Sequence, residues 1–131
     1  MKTRFQYWVD LSDYDLKTAE AMLLSSRYLY VGFMCHQTIE KILKAYYVVI
    51  FNEIPPYSLS LSLLAKKTDL FEELNEVQID FIDHLEPLNI EARYPSYKEK
   101  LLQSLTPTKC EELIAGTKVL QEWIKARLSV R

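Results

Sequence analysis

The 131-residue chain has only two glycines, Gly32 and Gly116. That is too few for a glycine-rich phosphate loop of the Walker or dinucleotide-binding kind, and it argues against a turn-rich β architecture. Long hydrophobic runs are missing too. The longest, Ala45 to Phe51, is seven residues, against the roughly 20 that a helix needs to span a bilayer. The opening MKTRFQYW lacks the apolar stretch of a signal peptide, and Cys35 and Cys110 are isolated from one another. Both features point to reduced thiols in a cytoplasmic protein without membrane contact. Neither sign of charge dominates. Sixteen Lys plus Arg against eighteen Asp plus Glu leave a formal charge of −2, so no global field draws in nucleic acid or anionic lipid, and any such contact is local.

What is present is a globular composition, 49% hydrophobic and 26% charged, at a length that suits a single domain over residues 1–131. Phe5 to Ser26 places Trp8, Leu11, Ala19, Met22 and Leu23 on one helical face and Asp10, Asp13, Lys17 and Glu20 opposite. Tyr28 to Asn52 reads as a second helix. Its later half, AYYVVIF, is apolar all round, as in an element buried on several sides, and Pro55-Pro56 closes it. Shorter helices are expected over Ser58 to Lys67 and Glu76 to Leu85, the latter ended by Pro87. Thr106-Pro107 starts a last helix running to about Arg127, with Thr108 and Glu111 as a capping box. Leu88 to Thr106 is the least regular stretch. The fold expected is all-α, an antiparallel bundle of four to five helices around one core.

The second helix carries a polar stripe. His36, Gln37, Glu40, Lys41 and Lys44 share one arc, which reads either as a solvated face or as a groove facing a ligand or partner. Asp15 falls within the apolar arc of the first helix, where a carboxylate needs a partner; Lys41 or Lys44 can supply it across the helix pair, and Asp15 with Lys41 is the structural pair we expect. His36 with Glu40, and Asp80 with His84, each offer two ligands on one helix, which makes no metal site without a third. Cys35 and Cys110 read as small core residues.

The segment YDLKTAEAMLLSSRYLYVGFMCHQTIEKILKAYY resembles the start of HEPN domains. The resemblance rests on Asp15-Leu16 and Ala19 in the first helix, on Arg27-Tyr28 at the turn, and on Gln37, Glu40, Lys41, Lys44 and Ala45 in the second. The double proline and the later Ala92-Arg93-Tyr94-Pro95 extend it over nearly the whole chain. It implies a bundle of four or five helices that commonly dimerises, often beside a minimal nucleotidyltransferase in toxin-antitoxin or defence pairs. Nucleolytic members carry an arginine, four to six spacers, and a histidine, two such motifs meeting across a dimer to cleave RNA. From Arg93 those spacers lead to Lys98, Glu99 or Lys100. Many relatives also have a hydroxyl residue and then histidine after the double proline, where Ser58 is here followed by Leu59.

The reading that follows is a non-catalytic, homodimeric module without cofactor, binding a nucleotide, RNA or a nucleotidyltransferase partner. Arg93, Lys98 and Lys100 supply local positive charge and the arginine fork suits phosphate. Tyr97 can stack on a base, and Tyr94 packs beside Pro95. The polar stripe forms the rest of the candidate surface. The alternative is a metal-independent RNase with a composite site at the dimer interface, Arg93 acting with Tyr97, Glu99, His36 or His84; a third reading is a purely structural, antitoxin-like partner.

Overall fold

The computed structural model describes residues 4–91 and 94–129; within it, the side chains of residues 90, 91, 95–98 and 101 lie outside the description. Seven helices follow one another: α1 (Arg4–Leu24), α2 (Tyr28–Phe51), α3 (Leu61–Lys66), α4 (Leu70–Glu73), α5 (Glu76–Glu91), α6 (Pro95–Ser104) and α7 (Pro107–Leu128). No strand occurs among the described residues. The hydrophobic pattern of α2 explains its place. Val31, Cys35, Ile39, Ile42, Ala45 and Tyr46 are all fully buried, because α1, α7, α5 and α3 all pack against it.

Tight turns are made without glycine. Ser26 (φ 63°) and Asn52 (φ 51°) take the left-handed conformation after α1 and at the end of α2, and the Arg27 amide donates to the Met22 carbonyl at 2.7 Å to close the first turn. The two glycines sit inside helices, where they allow close packing. A Cβ on Gly32 would lie 3.1 Å from Leu88 Cδ1, and one on Gly116 only 2.4 Å from Phe81 Cε1.

A buried polar seam ties the three longest helices together. Ser12 donates to the Thr38 carbonyl at 2.7 Å and accepts from Gln121 Nε2 at 2.9 Å, while Gln121 and Lys125 also reach Asp13, at 3.0 and 2.6 Å. Ser12 and Gln121 are almost wholly shielded from water, so these bonds replace hydration that folding removes.

Several expectations about elements need correction. Pro87 lies inside α5 and does not end it. The residues on either side are held from outside the helix, Glu86 by Ser60 and the Leu61 amide, Asn89 by Gln37. These side-chain bonds flank the turn at which Pro87 lacks a backbone donor. Helix α3 starts at Leu61, later than Ser58, because the Ser60 side chain accepts from the Leu63 amide and sets the N-cap. The cap of α7 is Thr106, accepting from the Lys109 amide at 3.2 Å, so Thr108 is not the capping residue. The stretch from Leu88 to Thr106, expected to be irregular, contains the end of α5 and the ten residues of α6.

Candidate functional site

The polar stripe of α2 does not face open water. The connection after α2 and the C-terminal half of α5 fold over it, leaving His36 at 0%, Glu40 at 3% and Lys44 at 6% exposure. The solvated-face reading is thereby corrected. Helical polar residues look solvent-bound in sequence because the wheel cannot show a second layer laid across them.

Within this layer each group has a specific geometry. His36 Nε2 lies 3.1 Å from the Leu59 carbonyl. A carbonyl only accepts, so Nε2 carries the proton, and Nδ1 faces Gln37 Nε2 at 3.5 Å and Glu40 Oε1 at 3.9 Å. Glu40 Oε2 accepts from Lys44 Nζ at 3.1 Å, and that ammonium also sits 5.4 Å from the Trp8 ring and 5.9 Å from the Tyr57 ring. Lys41 Nζ bridges Asp15 Oδ2 on α1 and Gln37 Oε1, each at 3.0 Å. Gln37 Nε2 then donates to Asn89 Oδ1 on α5 at 3.2 Å.

The chain of bonds runs from α1 through α2 to the last turn of α5. Because Gln37 gives its oxygen to Lys41 and its nitrogen to Asn89, the orientations of both amides are fixed, and Asn89 Nδ2 is left as a donor. That atom and Glu40 Oε1 are buried and have no hydrogen-bond partner among the described residues. Burying such groups costs on the order of 1–3 kcal/mol each; one belongs to the last turn of α5 and the other to the His36–Glu40–Lys44 part of the layer.

The remaining candidate residues are placed less closely. Arg93 lies outside the described residues, four positions beyond Asn89 in sequence. Tyr97 and Lys98 belong to α6 by backbone, their side chains lying outside the description, while Lys100 and Tyr94 are exposed. His84 is exposed on α5 with Nδ1 2.7 Å from the carbonyl of Asp80. Among the described residues no three His, Cys, Asp or Glu side chains gather as metal ligands, and no helix is long and apolar enough to cross a membrane.

Sequence reading missed one member of this layer, Asn89, and also the Glu86–Ser60 contact at the start of α3. Asn89 had a signal, since it lies four residues after Leu85 on a buried stripe with Ile82, where a polar residue needs a partner. Glu86 had none, because its role is to accept at the amino end of α3, a relation fixed only by the tertiary fold.

An all-helical bundle whose central helix bears a buried polar layer defines the class of protein. The HEPN domain model matches residues 5–127, and the chain belongs to that family. Its fold is similar to the crystal structure of TT1696 from Thermus thermophilus, with a TM-score of 0.81 and 17% identity, covering 95% of this chain and 98% of that one. At that identity the likeness speaks for the fold alone. No curated protein matches the sequence.

Proposed function

We propose that the protein is a non-catalytic HEPN module that binds a nucleotide, or the phosphate groups of a nucleic acid or partner-bound nucleotide, through the segment containing Arg93, Lys98 and Lys100. The observation that carries this reading is the Gln37–Asn89 bond. It seats the end of α5, one helical turn ahead of Arg93 in sequence, against a buried ion-pair layer. A guanidinium four residues beyond that anchor in sequence offers the paired donors that phosphate takes. In keeping with the family, the partner we favour is a minimal nucleotidyltransferase of a toxin-antitoxin or defence pair.

The non-catalytic part of the proposal rests on His36 and on the Arg93 segment. His36 is buried and engaged with the Leu59 carbonyl, and the Arg93 segment has lysine and glutamate where the nucleolytic motif has histidine. Lysine, with an unperturbed pKa of about 10.4, is a poor proton acceptor near neutral pH. The test is co-purification with any adjacent gene product, followed by bound-nucleotide analysis of wild type and Arg93→Ala. Loss of nucleotide or partner in the variant, with no RNA cleavage by either protein, is the expected result. RNA cleavage by the wild type that disappears in Arg93→Ala would instead establish the composite-site RNase.

A further inference from the structure

On the side of the molecule formed by α5 and α7 a second feature has no part in the polar layer. Phe81 rests on Gly116, so close that a Cβ there would meet the ring at 2.4 Å. This approach leaves an apolar groove of about 280 Å³ between the two helices, with Val77 on one wall and Val119 on the other. Val77 is 78% and Val119 71% exposed. The groove continues into a second hollow of about 310 Å³ that shares Val77, Phe81 and Gly116 and adds Asp80, His84 and Glu112. Along α7 the lining runs from Lys109 to Leu120, which at roughly 1.5 Å per residue is about three helical turns.

The charge around the groove identifies what fits it. Between Thr68 and Ala92 the sequence has eight carboxylates and no lysine or arginine. Three of the eight are engaged within the fold: Asp69 with Tyr46, Glu73 with Arg127, and Glu86 at the start of α3. Glu76, Asp80 and Asp83 are exposed on α5, and Asp80 lines the hollow itself. Lys109 is the cation among the lining residues, and it lies 3.9 Å from Glu112. A second copy set symmetrically on this face would bring one acidic rim against another, which like-charge repulsion opposes.

We propose that the α5–α7 groove is a docking surface for an amphipathic helical segment of another protein, about three turns long, with an apolar stripe seated between Val77 and Val119 and lysine or arginine facing the α5 carboxylates. The mode is that of a helix laid in a hydrophobic groove, with charge setting which helices are admitted.

The test uses the full chain and two fluorescent peptides with the same leucine stripe, one with lysine and one with glutamate on its polar face, titrated by anisotropy at 0.15 M salt, an ionic strength with a Debye length of about 8 Å. The lysine peptide is expected to bind at least tenfold more tightly than the glutamate peptide. Val119→Arg should weaken it at least tenfold, with an unchanged melting temperature because the residue is exposed. A combined Asp80→Lys and Asp83→Lys variant should reverse the preference. Equal binding of the two peptides, or binding indifferent to Val119→Arg, would overturn the proposal. So would a change of oligomeric state in Val119→Arg without peptide, since the groove would then be occupied by a second copy.

Discussion

At the scale of single residues, the polar layer of α2 is held by bonds of unequal weight. Asp15 and Lys41 meet at 3.0 Å with side chains 13% and 18% exposed, so the pair is shielded but still within reach of water. Asp15→Ala leaves Lys41 bonded to Gln37, and we expect a loss of about 1–3 kcal/mol in urea denaturation, less than for a wholly enclosed pair. Lys44→Ala should cost more, roughly 3–5 kcal/mol, because it strands the Glu40 carboxylate at a nearly dry position. The thiols give a pH dependence. Burial pushes Cys35 up from the ordinary 9.0 to about 12, an effect partly offset by the Thr117 hydroxyl and slightly reinforced by Cys110. Burial also raises Cys110, to about 11. A thiol whose folded pKa is raised releases its proton more readily when unfolded. Its contribution is therefore intact below pH 9 and is lost as pH rises from there towards the folded values. Stability followed by denaturation between pH 8 and 11 should fall over that window, with a smaller fall in Cys35→Ser if the serine is tolerated.

At the scale of elements, the two glycines separate propensity from packing. Alanine is favoured over glycine inside a helix by about 1 kcal/mol. At Gly32 the new methyl's one tight approach is to the movable end of Leu88 at 3.1 Å, with Leu105 Cδ1 at an ordinary 3.6 Å, so Gly32→Ala should be neutral or slightly stabilising. At Gly116 it would strike the Phe81 ring at 2.4 Å. Gly116→Ala should therefore lose about 1–3 kcal/mol through overpacking, and Phe81→Leu in the same chain should recover part of it; thermal melts of the three variants measure this. Helices α1, α2 and α7 were legible in sequence because their apolar residues recur at helical spacing over more than twenty positions. The persistence of α5 through Pro87 was not, since the bonds that flank it, at Glu86 and Asn89, are to groups far away in sequence. The same cause hid the burial of the candidate site. The stripe from His36 to Lys44 could be read as a pattern, but its cover comes from Leu59 and Asn89, which no local periodicity connects to it.

At the scale of the whole molecule, the apolar circumference of α2 is only partly used within one chain. Tyr46 and Val48 are buried, whereas Phe51 is 43% exposed, and just beyond the helix Ile54 and Tyr57 are 82% and 99% exposed. Phe51 packs on Tyr47 with the rings tilted at 47° and their centroids 4.6 Å apart. Arg4 of α1 reaches the Asn52 carbonyl at 3.5 Å, which brings the start of α1 to the same end of the bundle. Scattered apolar residues are ordinary on a protein surface, but three large ones within seven positions around a helix end form the kind of patch that association covers. The α5–α7 groove carries a one-sided acidic rim, whereas this end has aromatic and aliphatic side chains that can meet their own copies across a two-fold axis. We therefore predict a homodimer closed through the end of α2. Light scattering at tens of micromolar should give twice the chain mass. Phe51→Lys combined with Ile54→Lys should give the single mass while leaving the helical circular dichroism and the buried polar layer intact, because neither residue supports the core. A wild-type chain that runs as a monomer at that concentration, or a variant that remains dimeric, would place the subunit contact elsewhere or remove it.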